Sequence, residues 1–323
     1  MSLLDRFLAT AREKRRTVVF PEGTDDRILR AAAQVKKDGI GVPLLIGGKD
    51  EVAAKAQTAG ADLSGIEVLD PGSSPLLPEF AALYALRRKN ISAGIAERLV
   101  KKNLMFGGML LAAGKADVMI AGAASTTASV IQAASLTLGY EEGINTPSSF
   151  FIMILPDGGV LFYADCAVNI DPNPDQLADI GVATGRSYRR LMNADPKVAF
   201  LSFSTRGSAS HPFIDKVTAA LAKAREKAPD LPMDGEFQAD TALSAAVAAK
   251  KIKEPGAVAG AANVLIFPDL NAGNIAYKLT QYLAKAAAYG PVLQGFAKPV
   301  SDLSRGAKPD DIVGVTAIVC ASS

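Results

Sequence analysis

Short apolar runs alternate with stretches of helical period along most of this chain. Thr17–Phe20, Val42–Ile46, Glu67–Asp70 and Ala116–Ala121 read as strands. Asp26–Lys37, Lys49–Thr58, Pro78–Lys89, Ile91–Leu99 and Gly107–Gly114 read as helices. A further helix is expected from the loop Gly122-Ala-Ala-Ser-Thr-Thr127 to about Leu138. Such alternation predicts a mostly parallel sheet covered by helices on both faces. The texture then changes. Phe150–Leu155 and Val160–Tyr163 are apolar and aromatic runs split by Pro156-Asp-Gly-Gly159, the pattern of a hairpin. Asn169–Pro174 is a loop before helix Asp175–Leu191. Strand Val198–Phe203, helix His211–Lys227, strand Met233–Phe237, helix Thr241–Lys251, strand Val264–Phe267 and helix Gly273–Ala288 follow. The last helix is expected over Asp310–Val319, with Pro309 at its first position, where a missing N–H costs nothing. The change of texture puts a domain change near Glu141–Thr146.

Composition narrows the class. At 323 residues, 49% of them apolar, the chain exceeds one ordinary core, so two domains are expected. A net charge of +2 gives no reason to expect nucleic acid as a partner. No apolar tract reaches the roughly 18 residues of a membrane span. Met1–Val19 is basic and amphipathic and lacks the apolar centre of a secretory signal. Two cysteines, Cys166 and Cys320, form neither a disulfide framework nor a metal-ligand cluster, and buried apolar roles are expected for both. A cytoplasmic setting follows, with no bound metal or redox cofactor expected. The single histidine, His211, reads as a surface or capping residue. Acid–base work therefore falls to carboxylates, Lys or Tyr.

Three segments share one design of apolar strand, small polar loop and helix: Ala116–Thr127, Val198–Ser210 and Val264–Asn274. In open α/β sheets, ligands sit beyond the carboxyl ends of strands, and helix starts offer free N–H groups to anions. Ser125, Thr126 and Thr127 add hydroxyls to the first loop. Ser204, Thr205 and Arg206 stand in the second. Asn271 and Asn274 stand in the third, with Lys278 one turn into its helix. Ordinary helix capping explains any one of these loops alone. The C-terminal Ser304-Arg305-Gly306 adds a hydroxyl and a fixed cation, and Asp310 and Asp311 follow in the first turn of the last helix. Arg suits a bidentate phosphate clamp, although an ion pair with Asp302 or Asp310 would also account for Arg305.

The run from Pro291 to Asp311 resembles the C-terminal signature of the phosphate acetyltransferase (phosphotransacetylase) family. The likeness extends to Phe20-Pro-Glu-Gly-Thr-Asp-Asp-Arg27, Phe162–Val168, Leu201–Ala209, Met233–Gln238 and Val264–Lys278. It covers essentially the whole chain in order. The resemblance implies two three-layer α/β domains with an interdomain cleft, the first formed by 1–142 plus 291–323 and the second by 143–290. It also implies reversible transfer of an acetyl group between acetyl-CoA and phosphate, with coenzyme A as a substrate and not a bound cofactor. Arg305 would stabilise the transition state, and Asp311 would remove the thiol proton. Ser304 would hold the thiol or the tetrahedral intermediate. Asp310 keeps only a helix-dipole role. Reference thiol and Asp pKa values differ by about 4.6 units, roughly 6 kcal/mol if proton transfer came first. Either burial raises the base, or the proton moves as sulfur attacks.

Arg27 and Arg87 match the family's anion-binding arginines and are expected to bind CoA. The sequence departs from the family at Gln132, where an arginine is usual, and at Ser125, where a histidine is common. Gln132 is expected to face CoA with one cation missing. Two rivals stay open for function: an acyltransferase preferring propionyl or butyryl groups, and a non-catalytic CoA- or acyl-phosphate-binding protein. A decarboxylating dehydrogenase of similar build would need a metal-binding Asp set and a nucleotide fingerprint, and neither stands out. A homodimer is the expected assembly, though the sequence carries no direct signal of it.

Overall fold

The structure, a computed structural model, describes residues 2–88 and 91–323. The end of the predicted helix Pro78–Lys89 lies outside the described residues. The chain divides into two compact units, Met1–Tyr140 with Phe296–Ser323, and Glu141–Gly295.

The first unit opens with α1 (Leu3–Lys14), β1 (Thr17–Phe20), α2 (Asp26–Lys37), β2 (Val42–Ile46), α3 (Lys49–Ala59) and β3 (Glu67–Leu69). It continues through α4 (Leu77–Arg87), α5 (Ala93–Val100), α6 (Asn103–Ala112), β4 (Val118–Ala121) and α7 (Thr127–Thr137). The second unit holds the hairpin β5 (Ser148–Ile154) and β6 (Val160–Ala164), then α8 (Pro174–Met192), β7 (Val198–Leu201), α9 (Pro212–Lys227) and β8 (Met233–Phe237). Two short helices, α10 (Ala239–Leu243) and α11 (Ala245–Lys251), precede β9 (Val264–Ile266), α12 (Leu270–Leu283) and β10 (Ala287–Gln294). The chain then returns to the first unit as β11 (Val300–Asp302) and α13 (Pro309–Ser322).

The first sheet is entirely parallel, in the order β11-β4-β1-β2-β3. Its central strands β1 and β4 and most of β2 are buried on both faces, so they read as continuous apolar runs and not as alternation. One helical layer is the contiguous set α1, α13, α2 and α3, and a second set is α4 to α7. The second sheet runs β10-β5-β6-β9-β7-β8, with β10, β5 and β6 antiparallel neighbours and the rest parallel. Alternate residues of β5 face opposite layers. Phe151 and Met153 pack with Ala242, Ala248 and Phe267. Phe150 stacks on Phe162, whose edge meets Tyr188 of α8. Gly181 lets α8 approach the sheet, because a Cβ there would lie 2.3 Å from the Phe200 ring.

Four expectations change. Helix Gly273–Ala288 ends at Leu283, where Lys285 turns the chain with φ 58 into β10. Gly290-Pro291 disguised this strand, and its pairing with β5 slips between Tyr289 and Val292. β10 keeps 291–295 in the second unit, so the return falls at Phe296. β11 was hidden by Ser301 and Asp302, polar residues buried at the edge of the first sheet. The expected single helix Thr241–Lys251 breaks at Ser244, which caps α11 by accepting the Val247 N–H.

Candidate active site

Strands β1, β4 and β11 lie side by side and end at one edge of the first sheet. Their following loops converge, and three acidic or basic side chains fasten them. Glu22, buried in the β1–α2 turn, accepts four consecutive backbone N–H groups from Gly122, Ala123, Ala124 and Ser125, at 3.0, 2.8, 3.1 and 2.6 Å. The loop was expected to cradle a substrate anion with these groups. They cradle one of the protein's own carboxylates. Leaving such a buried donor unpaired costs about 1–3 kcal/mol, so Glu22 fixes the loop.

Arg27, on the first turn of α2, engages all five guanidinium donors within the unit. Two meet Asp25, one reaches Ala123 O at 2.6 Å, and two reach Arg305 O at 2.6 Å and Ala307 O at 3.4 Å. Arg27, expected to bind CoA, fastens the Ser304–Arg305 loop in this structure. Asp302, the last residue of β11, is 2% exposed and accepts the Thr127 hydroxyl at 2.5 Å through Oδ2. Its Oδ1 has no hydrogen-bond partner among the described residues. Burial pushes the Asp302 carboxyl up to about 6, opposed by the Thr127 hydroxyl and the Leu303 N–H and assisted by the nearby Glu22 charge.

The loop so held carries Ser304, Arg305 and Gly306 on its exposed side. Ser304 Oγ accepts the Gly306 N–H at 3.2 Å, and Ser304 O accepts the Ala307 N–H at 2.9 Å. The serine proton stays available to a ligand. Among the described residues the Arg305 guanidinium has no hydrogen bond or ion pair, so neither Asp302 nor Asp310 pairs with it. Pro309 opens α13 and Asp311 sits at its third position, exposed, with Oδ2 accepting the Lys308 N–H at 2.9 Å. Asp310 is exposed beside it.

The remaining first-unit candidates separate. Arg87 donates to Thr137 O at 2.8 Å and Ala112 O at 3.2 Å, binding the last carbonyls of α7 and α6. This is favourable because those helix ends carry partial negative charge. Its charge is thus partly committed to structure. Thr126 caps α7 by accepting the Ser129 N–H, and Thr127 donates its hydroxyl to Asp302. Gln132 lines a cavity of about 410 Å³ with Lys102, Asn103, Ser129, Met105 and Leu136.

In the second unit the loop after β7 repeats the design of the first. Buried Glu236 accepts the Ser204 hydroxyl at 2.7 Å and the Gly207 N–H at 2.8 Å. Thr205 Oγ1 accepts the Gln238 N–H at 3.0 Å. Arg206 pairs with Asp234 at 2.6 Å, and Arg225 pairs with the same carboxylate. Ser204, Thr205 and Arg206, expected to meet substrate, are engaged internally in this structure. Asn274 donates to Cys166 O at 3.0 Å. Asn271 is exposed and lines a cavity of about 570 Å³ with Ser202, Phe203, Phe213 and Lys216, at the carboxyl ends of β7 and β9. Lys278 is exposed, 4.9 Å from the Tyr277 ring centre.

Both cysteines are buried, and burial pushes the Cys166 thiol well up and the Cys320 thiol to about 12, which suppresses thiolate chemistry. His211 caps α9 by accepting the Phe213 N–H. Glu22 and Glu236 were given no role by sequence reasoning, and Asp302 only that of a possible ion-pair partner for Arg305. Their signal was their place: each is an acidic residue in a strand or in the turn just after one.

The profile described as phosphate acetyl/butaryl transferase matches residues 2–320. The phosphate acetyltransferase of Acetivibrio thermocellus is 44% identical over 325 residues, covering 98% of this chain and 97% of that protein. That of Thermoanaerobacterium thermosaccharolyticum is also 44% identical, covering 98% of each. EutD phosphotransacetylase from Staphylococcus aureus has a similar structure, with a TM-score of 0.90 at 38% identity and coverage of 98% of each chain. With the Ser304–Arg305 turn and Asp311 held as described, and with likeness over nearly its full length, the chain belongs to the phosphate acetyl/butaryl transferase family.

Proposed function

We propose that this acyltransferase moves an acetyl group reversibly between acetyl-CoA and phosphate by direct attack of the CoA thiol sulfur on the acyl carbon. The C–S bond forms as the C–O bond to phosphate breaks, and the thiol proton passes to Asp311. Arg305 takes the charge growing on the departing phosphate, and Ser304 donates to the oxygen of the tetrahedral centre. The observation that best supports this reading is the unpartnered Arg305 guanidinium beside an available serine proton, on a turn whose backbone Arg27 holds. CoA, acetyl phosphate and phosphate are the substrates, and no resident cofactor is invoked. Asn271, Lys278 and Ser125 keep exposed or half-buried side chains for substrate, while Arg87 retains uncommitted donors for CoA. Lys102 supplies a cation to the cavity where Gln132 stands, which bears on CoA affinity despite the missing arginine. Purified protein is expected to form acetyl-CoA from acetyl phosphate and CoA, with propionyl and butyryl phosphate slower. A faster butyryl reaction would reassign the acyl group, and no thioester from any of the three would overturn the reading.

A homodimer fits the surface of α12. Among its fourteen residues only Gly273 is buried, while Ile275, Leu279, Tyr282 and Leu283 form one exposed apolar stripe. Stripes of this kind mark interaction surfaces. The Leu279→Glu/Leu283→Glu variant should sediment as a monomer where the parent sediments as a dimer. An unchanged sedimentation coefficient would remove α12 from the interface. No helix among the described residues is long and apolar enough to cross a membrane. The cytoplasm is the proposed setting.

A further inference from the structure

Asp302 stands apart from the groups used so far. It is almost fully buried, ends the strand that delivers Ser304 and Arg305, and takes its one side-chain hydrogen bond among the described residues from Thr127. Such a group is costly to keep in a protein interior. Thr127 is the first residue of α7. Gly122 makes the approach feasible: at φ +106, a Cβ there would lie 2.1 Å from Asp302 Oδ1 and 2.6 Å from Leu303 N. Glycine alone leaves that space, so β4 and β11 close together just where both loops begin.

We propose that Asp302 is a positioning residue for the transfer reaction, holding the start of the Ser304–Arg305 loop to α7 through the Thr127 hydroxyl. The proposal rests on the reading of Ser304 and Arg305 given above. The loop has two holds. Arg27 grips it in the middle, at Arg305 O and Ala307 O, and the Asp302–Thr127 bond fixes where it leaves the sheet. Losing the second hold leaves the loop attached but shifts the guanidinium relative to the α7 end of the site. A displacement of that kind lowers turnover and leaves substrate binding largely intact.

The strut acts through hydrogen-bond acceptance, which an asparagine carbonyl reproduces. The charge works against folding. Burial raises the carboxyl from 3.8 to about 6, and Glu22 is the titratable neighbour that acts on it. A carboxyl raised on folding destabilises the native state above its folded pKa and has no such effect below its unfolded one. Removing the charge should therefore raise Tm at pH 7.5, with the gain gone by about pH 4.

The test compares Asp302→Asn, Asp302→Ala, Thr127→Val and the double Asp302→Ala/Thr127→Val variant. Steady-state kinetics, thermal unfolding and amide hydrogen exchange over 303–308 are the readouts. We expect kcat of Asp302→Ala and Thr127→Val to fall roughly tenfold or more, with KM for CoA and acetyl phosphate nearly constant. The double variant should lose no more than either single one, since both remove the same bond. Asp302→Asn should keep most of the turnover and gain Tm at pH 7.5, and Asp302→Ala should not lose Tm there. Exchange at 303–308 should quicken in the Ala and Val variants only. Wild-type turnover in Asp302→Ala, multiplicative losses in the double variant, or a turnover loss matched by a fall in Tm would each overturn the proposal. If the parent protein shows no turnover, the functional reading falls, and unchanged exchange in Asp302→Ala and Thr127→Val would then sink the strut separately.

Discussion

Asp311→Asn should lower kcat by roughly a hundredfold to ten-thousandfold, the usual worth of a general base, while Asp310→Asn leaves turnover close to that of the parent. Both carboxylates are exposed in the first turn of α13, and both suit the positive end of the helix. Only Asp311 occupies the third helical position, where its oxygen folds back onto the Lys308 N–H at 2.9 Å. That contact fixes the carboxylate at the start of the helix. An asparagine oxygen can still accept the Lys308 N–H, so the substitution removes the base and spares the cap. Kinetics and thermal unfolding of both variants decide the matter. Small, equal losses of turnover would return the two residues to helix-dipole duty, which is worth about 0.3–1 kcal/mol of stability and nothing in rate.

Most of the architecture was legible in the sequence because most of it is local. The parallel strands of the first sheet are short apolar runs, each followed by an amphipathic helix, and the predicted bounds of β1, α2, β2 and β8 match those observed. The failures share a cause. β11 carries two buried polar residues, and β10 contains Gly290-Pro291, so neither has the pattern of a strand. Their place is set by tertiary pairing with β4 and β5.

The candidate site was legible by residue type and not by partner. Ser304, Arg305 and Asp311 stand on an exposed turn and helix start, as a loop-to-helix reading requires. The free N–H groups of the loops after β4 and β7 were legible too. That they would be filled from within, by Glu22 and Glu236, was not. A carboxylate a hundred residues away in sequence, as Glu22 is from Gly122, leaves no trace in local pattern. The same distance hid the role of Arg27, whose contacts reach Arg305 across 278 positions. Two of the three loops read as anion cradles are therefore braced from within by a buried carboxylate.

Arg305 is the sharpest case of such a side chain, and Arg305→Ala should cost about 2.7–4 kcal/mol of barrier, on the order of a hundredfold to a thousandfold in turnover. The substitution is clean. The turn around it is held by Arg27 donating to Arg305 O, by Gly306 N–H on Ser304 Oγ and by Ala307 N–H on Ser304 O. None of these bonds uses the Arg305 side chain, and the guanidinium has no partner among the described residues. Truncation thus removes only the cation, and Tm should stay close to that of the parent. The loss should fall on kcat more than on KM, because charge on the phosphate oxygens grows as the acyl C–O bond breaks. Arg305→Lys should not restore it. A planar guanidinium meets two phosphate oxygens at fixed spacing, whereas an ammonium is a mobile point charge. Steady-state kinetics of both variants, with acetyl phosphate and CoA varied in turn, test each part. Near-parental turnover in Arg305→Ala would make Arg305 an ordinary surface cation, and recovery in Arg305→Lys would show that charge alone, without bidentate geometry, is what the reaction requires.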